Sequence, residues 1–133
     1  LYTSILPHLI NKDLANYIRK AKAKKMYICN LFTQPNETEN YTASDHIKLI
    51  ERYLGKDGID IILVNNHIIN SDLAKKYLAD EQKDFVVVDE NELRKMHKKI
   101  ISDDLVTIEN NYFRHDSLKT GYLIFSCLMD DVK

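Results

Sequence analysis

The chain alternates short apolar runs with longer segments in which apolar residues recur at helical spacing. The runs predict strands at Met26–Leu31, Ile59–Val64 and Phe85–Val88, with weaker signals at Ile100–Ile101 and Leu105–Thr107. The second and third runs are almost continuously apolar, which is typical of strands covered on both faces, as in a parallel sheet.

The segments between the runs predict helices. Asp13 is a candidate N-cap for a helix that reaches about Lys22. Thr42 or Ser44 can cap the next helix, and Gly55 stands where its C-cap is needed. Three more helices are predicted at Ser71–Leu78, Glu90–His97 and Asp116–Met129. This alternation predicts a three-layer, Rossmann-like α/β fold, with a mostly parallel sheet and helices on both faces.

Composition narrows the class of protein. The 133 residues are enough for one domain, and 19 basic against 20 acidic side chains give a net charge of -1. This balance argues against a dedicated nucleic-acid binder. The basic run of residues 19–25 is typical of a solvated helix end, and the alternative is a contact with nucleic acid or protein.

Cysteine content and apolar run length bear on the compartment. Cys29 and Cys127 lie within apolar runs, which predicts two buried thiols in a reducing compartment and no disulfide framework. No apolar run approaches the roughly 20 residues of a membrane span. The opening lacks a signal-peptide pattern, so we expect a cytoplasmic protein. It also lacks Met, so we expect the natural protein to start earlier.

The polar stretch from Asn30 to His46 follows a predicted strand and leads into a helix. In parallel sheets, ligands bind beyond the carboxyl ends of the strands. The amides and hydroxyls of this stretch suit sugar hydroxyls and phosphate oxygens. The candidate ligand contacts are Asn30, Thr33, Gln34, Thr38, Tyr41 and Ser44. The helix start would also offer free backbone N–H groups to an anion. The alternative is a polar loop that only caps the helix.

Three residues elsewhere are further candidates. Asn65 follows the most apolar run and could contact a base edge or a ribose, or simply form a turn. Arg114 could hold a phosphate with two hydrogen bonds, or pair with a nearby carboxylate. Tyr77 lies among apolar neighbours and is either a core residue or a ring that stacks on a base.

The sequence gives little support for a metal site. His46, His67 and His115 lack the tight spacing of a zinc motif. Asp45 could hold Mg²⁺ together with a ligand phosphate, because magnesium is commonly bound by one or two carboxylates plus phosphate. We expect no cofactor to be required.

Several segments carry a resemblance to a known family. They are Leu1–Pro7, Tyr27–Leu31, Thr33–Pro35, Glu37–Thr38, Tyr41–His46 and Arg114–Asp116. In this order the chain resembles the bacterial gluconeogenesis factors, regulators of carbon metabolism and cell shape in the superfamily of 2-phospho-L-lactate transferase. Asn36 stands where that family commonly has glycine, and Asn tolerates the same left-handed turn.

The resemblance implies more than the residues do. Residues 1–133 would be the C-terminal half of a larger domain whose other half carries glycine-rich phosphate loops. The ligand would be a UDP-sugar such as UDP-N-acetylglucosamine, with Tyr77 and Arg114 among its contacts. Protein partners in cell-wall synthesis and a homodimer are also implied.

Three functions follow as hypotheses. The first is a binding regulator, not an enzyme, that responds to a UDP-sugar through population shift. The second is a transferase of a phospho-organic acid or nucleotidyl group, in which Asp45 holds Mg²⁺ and Arg114 stabilises phosphate charge, with His46 or His115 as base. The third is an interaction module that uses residues 19–25.

Overall fold

A computed structural model describes residues 1–67, 75, 79, 83–110 and 112–130, with only the backbone of Asp130. The helices are α1 (Leu6–Ile10), α2 (Lys12–Lys20), α3 (Ala43–Leu54), α4 (Glu90–Lys95) and α5 (Ser117–Asp130). The strands are β1 (Met26–Ile28), β2 (Ile61–Asn65), β3 (Lys99–Asp103), β4 (Val106–Glu109) and β5 (Tyr112–His115).

β1, β2 and β3 form a parallel sheet in that order, with β2 in the centre. Tyr27 pairs with Ile62, and Ile62 with Ile100. β2 is almost fully buried because it is covered on both faces, as its apolar run predicted. β4 and β5 form a separate antiparallel hairpin. The mostly parallel sheet with helices around it is a Rossmann-like α/β arrangement, which confirms the predicted fold class.

The main core lies between the sheet and α1, α2, α3 and α4. Ile47, Ile62 and Leu93 are fully buried there, and they come from α3, the central strand and α4. Burial of such side chains contributes roughly 1.5–3 kcal/mol each. Both cysteines are free and buried, as predicted. None of the helices in the described part of the chain is long and apolar enough to cross a membrane.

The helix predictions hold with small shifts at the ends. Thr42 is the N-cap of α3, and Gly55 is its C-cap with a φ of 88°. α2 is capped by Asn11 and not by Asp13, because the Asn11 side chain accepts hydrogen bonds from the N–H groups of Asp13 and Leu14. The predicted helix at Ser71–Leu78, which includes Tyr77, lies outside the described residues except for Lys75.

One strand prediction is wrong. Phe85–Val88 does not join the parallel sheet, and it makes only isolated bridges at Phe85 with Phe32 and at Val87 with Thr42. The run is apolar because Val86 and Val88 pack against the core from beneath the loop that follows β1, while Val87 is exposed. The third strand of the sheet is β3, where the weaker signal at Ile100–Ile101 lies. The Leu105–Thr107 signal contributes to the hairpin instead.

Candidate functional site

A cleft of about 280 Å³ opens where β1 ends and its loop begins. One wall is the segment after β1, and the opposite wall is strand β5 of the hairpin. The lining residues are Asn30, Leu31, Phe32, Thr33, Gln34, Lys83, Phe113, Arg114 and His115. The sequence predicted four of them as ligand contacts, namely Asn30, Thr33, Gln34 and Arg114. The structure therefore brings Arg114 and the Thr33 turn to the same cleft.

A polar contact of His115 fastens the hairpin to the end of β1. The His115 Nε2 atom lies 3.2 Å from the carbonyl oxygen of Cys29. Within the hairpin, the Asp116 N–H donates to the carbonyl oxygen of Leu105 at 2.8 Å and joins its two ends. Burial lowers the pKa of His115, and the bond to the Cys29 carbonyl raises it by less. The ring that faces the cleft is therefore neutral near pH 7.

Two of the lining residues, Phe32 and Phe113, form an aromatic cluster with Phe85. The ring centroids of Phe32 and Phe85 are 4.4 Å apart, and Phe113 lies 5.9 Å from Phe32 and 5.8 Å from Phe85. Rings at these separations pack favourably, by about 0.5–1.5 kcal/mol beyond the area that they bury. The cluster holds the loop, the Phe85 segment and β5 together, and it gives the cleft an apolar surface.

The polar groups of the cleft suit a phosphate-bearing ligand. Arg114 is exposed, with its guanidinium carbon 5.5 Å from the centroid of the Tyr112 ring, and Lys83 adds a second cation. Asn30 and Gln34 contribute amides. The Gln34 Oε1 atom is buried and lacks a hydrogen-bond partner among the residues that the structure describes. A buried polar atom without a partner is costly unless a ligand or water completes it.

Two threonine hydroxyls hold the loop from Thr33 to Thr38 in place. The Thr33 hydroxyl donates to the carbonyl oxygen of Asp84 at 3.2 Å, and it accepts from the N–H of the same residue at 3.1 Å. The Thr38 hydroxyl accepts from the Gln34 N–H at 2.9 Å and is fully buried. Asn36 has a φ of 60°, so it adopts the left-handed turn that the sequence predicted. Thr38 therefore positions the loop and does not line the cleft.

The prediction of free N–H groups at the start of α3 is wrong. The Ser44 N–H donates to Asp89 Oδ1 at 2.9 Å, and the Thr42 hydroxyl donates to Asp89 Oδ2 at 2.9 Å. Thr42 and Asp45 also form a reciprocal capping box. A carboxylate of the chain itself therefore occupies the position that an external anion would take.

Asp45 is engaged in the same cap. Its Oδ2 atom accepts from the Thr42 N–H and lies 3.1 Å from the Thr42 hydroxyl, which shares its single proton between Asp45 and Asp89, and its Oδ1 atom lies 3.2 Å from the Lys48 ammonium. Burial raises the pKa of Asp45, but these hydrogen bonds outweigh it and the pKa lies below its usual value. Both oxygens of Asp45 therefore make contacts within the helix cap, and its role as a Mg²⁺ ligand stays a prediction. Within the described ranges, no three His, Cys, Asp or Glu side chains form a metal-binding group.

Three other predicted contacts lie away from the cleft. The Tyr41 hydroxyl is 3.1 Å from that of Tyr2. Ser44 is buried beside the α3 cap. The Asn65 Oδ1 atom accepts from the Leu105 N–H at 3.0 Å and links the end of β2 to the start of the hairpin. The fourth, Tyr77, lies outside the described residues.

Sequence reasoning missed four important residues. Phe32 and Phe113 each flank a predicted polar contact, and their pairing depends on the fold. Lys83 follows a segment with no motif. Asp89 reaches Ser44 from 45 positions along the chain. A contact at that separation leaves no local pattern, so no motif could have indicated it.

The comparisons with known proteins agree on one family. The model of the 2-phospho-L-lactate transferase CofD family matches residues 1–106. The gluconeogenesis factor of Bacillus subtilis (strain 168) is 42% identical over 130 residues, which is 98% of this chain and 41% of that one. The gluconeogenesis factor of Halalkalibacterium halodurans is 39% identical over 124 residues, which is 93% of this chain and 38% of that one.

Solved structures give the same result. A crystal structure of a UPF0052 family member from Bacillus halodurans superposes with a TM-score of 0.85 at 38% identity, over 92% of this chain and 40% of that chain. The chain spans 41% and 38% of the length of the two curated relatives named above.

Proposed function

Since the chain belongs to the 2-phospho-L-lactate transferase CofD family, we propose that its cleft binds a UDP-sugar of the UDP-N-acetylglucosamine class as part of a regulator. The relatives are named gluconeogenesis factor. On this proposal the protein senses carbon supply and thereby regulates cell shape and cell-wall synthesis. Binding would shift a conformational population, and protein partners would respond to the shift.

One observation carries the proposal: Arg114 and Lys83 share a cleft with the Asn30 and Gln34 amides. Arg114 can donate two parallel hydrogen bonds to a phosphate, and Lys83 adds positive charge beside it. The amides suit sugar hydroxyls or a base edge. A charged hydrogen bond of this kind is worth roughly 1.5–3 kcal/mol, or about ten- to a hundredfold in affinity.

The size of the cleft limits what it can hold alone. Sites for ligands of drug-like size occupy roughly 300–1,000 Å³, whereas this cleft occupies about 280 Å³. It therefore suits the phosphates and part of the sugar or base. We propose that Tyr77 and the remainder of the family polypeptide complete the site. The proposal requires no metal.

Titration calorimetry with UDP-N-acetylglucosamine tests the proposal on the longest folded polypeptide that carries these residues. We expect Arg114→Ala to weaken binding at least tenfold, because it removes the two-pronged phosphate contact. Arg94→Ala is the matched control, since Arg94 is an exposed arginine on α4 that pairs with Glu90. Equal affinity in both variants, or no heat with the parent protein, would contradict the proposal.

A transferase is the second candidate, and the position of His115 favours it. Its imidazole lines the cleft and is neutral near pH 7, so it can act as a general base that accepts the proton of a substrate hydroxyl. His46 does not serve, because it is fully buried in α3 with Nδ1 bound to the Thr42 carbonyl. Turnover of a nucleoside-diphosphate-linked substrate that stops in His115→Gln would favour this reading over a binding regulator.

A further inference from the structure

Helix α5 is apolar on nearly every side. Lys119 and Asp130 are its only charged residues. The Lys119 ammonium pairs with Asp103 Oδ1 at 2.8 Å, at the edge of the helix that faces the sheet. A helix that is hydrophobic all round is typical of one that is buried on more than one side.

Only one side of α5 is covered by the described residues. That side carries Thr120 and Cys127, which are buried, and Leu123 and Ile124, which are half-buried. The other side is exposed, and Leu118 is 86% exposed and Phe125 59%. The outer face, as we call it, consists of Leu118, Tyr122, Phe125, Leu128 and Met129.

The outer face is a continuous stripe. Leu118, Tyr122, Phe125 and Met129 follow each other at spacings of four, three and four residues, which places them on one side of a helix. Because an aromatic side chain alone can bury roughly 150–250 Å², five large side chains present several hundred Å² of apolar surface. Soluble monomers rarely leave a contiguous patch of that size without a partner.

We propose that the outer face of α5 packs against the part of the family polypeptide that lies outside these 133 residues. The matching relatives are more than twice as long as the region they share with this chain, so the family supplies ample polypeptide for this contact. The face has no charged side chain, so its occupant presents an apolar surface in return. A second copy of the chain is the rival occupant.

Cysteine labelling tests the proposal. Phe125→Cys is placed in the 133-residue chain and in a full-length polypeptide in which this chain replaces the matching part of the Bacillus subtilis factor. We expect a polar maleimide to label the short chain at least tenfold faster than the full-length one. Lys95→Cys is the matched control, because the Lys95 side chain is 71% exposed on another helix and should label equally in both. Cys29 and Cys127 are buried and give a slow background.

Two results would overturn the proposal. The first is equal labelling of Phe125→Cys and Lys95→Cys in the full-length polypeptide, with a cooperative melt to show that it is folded. The second is protection that disappears on dilution, because that would assign the face to a second copy. If the hybrid does not fold, the same pair of cysteines is placed at the aligned positions of the native Bacillus subtilis factor, where the same outcomes decide.

Discussion

The imidazole Nε2 of His115 lies 3.2 Å from the carbonyl oxygen of Cys29, and this contact ties the hairpin to the end of β1. Since the carbonyl can only accept, Nε2 is the donor, and Nδ1 is the unprotonated nitrogen of the neutral ring. Arg114 precedes His115 directly, so the same contact sets the position of the cationic wall of the cleft.

His115→Ala should therefore affect both stability and binding. We expect it to lower the free energy of unfolding by about 1 kcal/mol, the usual worth of one such hydrogen bond. It should also weaken binding of UDP-N-acetylglucosamine, because Arg114 loses its support. Urea unfolding and calorimetry measure the two effects. His8→Ala, at an exposed histidine on α1, should change neither. Unaltered binding in His115→Ala would show that the contact between His115 and Cys29 does not position Arg114 for the ligand.

The buried histidines predict a loss of stability in mild acid. Burial lowers the pKa of His46 and of His115 below the ordinary value of 6.5. Between the folded and unfolded pKa values the unfolded chain binds more protons, so protonation favours unfolding. Stability should be full above pH 7, fall as the pH drops below about 6.5, and level off once the pH is below the folded pKa values.

Denaturant unfolding at pH 8, 7, 6 and 5.5 measures this effect. The lowered pKa values of Asp45 and Asp60 keep these carboxylates ionised over that range, so they do not obscure it. His46→Gln and His115→Gln should each reduce the fall between pH 7 and 5.5. A stability that does not change over this interval in the parent chain would show that the two rings protonate equally well in the folded state.

Asp89 should stabilise the first turn of α3. Asp89→Ala removes the carboxylate that accepts hydrogen bonds from the Thr42 hydroxyl and the Ser44 N–H, so we expect the free energy of unfolding to fall by about 2–3 kcal/mol. Asp89→Asn should lose less. Inorganic phosphate should stabilise Asp89→Ala more than the parent, because the freed helix start can then bind an anion. Thermal melts with and without phosphate measure this. Glu109→Ala, at an exposed hairpin carboxylate, should respond like the parent.

Lys98 and Glu51 form an ion pair of which little is exposed. The Lys98 ammonium lies 2.7 Å from Glu51 Oε1, and the Lys98 side chain is only 4% exposed. Lys98→Met should cost about 3 kcal/mol, because it leaves the Glu51 charge without its partner. The double variant with Glu51→Met should recover much of that loss. Lys95→Met breaks an exposed pair and should cost less than about 0.5 kcal/mol. Equal losses at Lys98 and Lys95 in urea unfolding would contradict this account.

Local patterns explain which parts of the fold the sequence predicted. The Thr42–Asp45 cap, the apolar spacing that follows it and Gly55 all act within one helix, so α3 could be located. β2 could be located because a central parallel strand is apolar on both faces. Phe85–Val88 could not be told from a strand, because packing beneath a loop selects the same apolar residues as a place in the sheet.

The candidate site was predicted in part for the same reason. The rule that ligands bind at strand ends brought Asn30, Thr33 and Gln34 to attention, and the structure places them in one cleft. Asn65 also lies at the end of a strand, but its side-chain oxygen accepts a hydrogen bond from the Leu105 N–H. Arg114 reaches the cleft from an antiparallel hairpin, which no periodicity in the sequence indicates.

We propose that a phosphate-bearing ligand binds between the loop after β1 and strand β5. Titration of the ¹⁵N-labelled protein with UDP-N-acetylglucosamine, followed through its side-chain NMR signals, shows which residues the ligand contacts. We expect the signals of the Asn30 and Gln34 amides and the Arg114 guanidinium to shift, while the signal of the Asn65 amide, whose oxygen accepts from the Leu105 N–H, does not. Shifts centred on Asn65, or a spectrum unchanged at saturating ligand, would contradict the proposal.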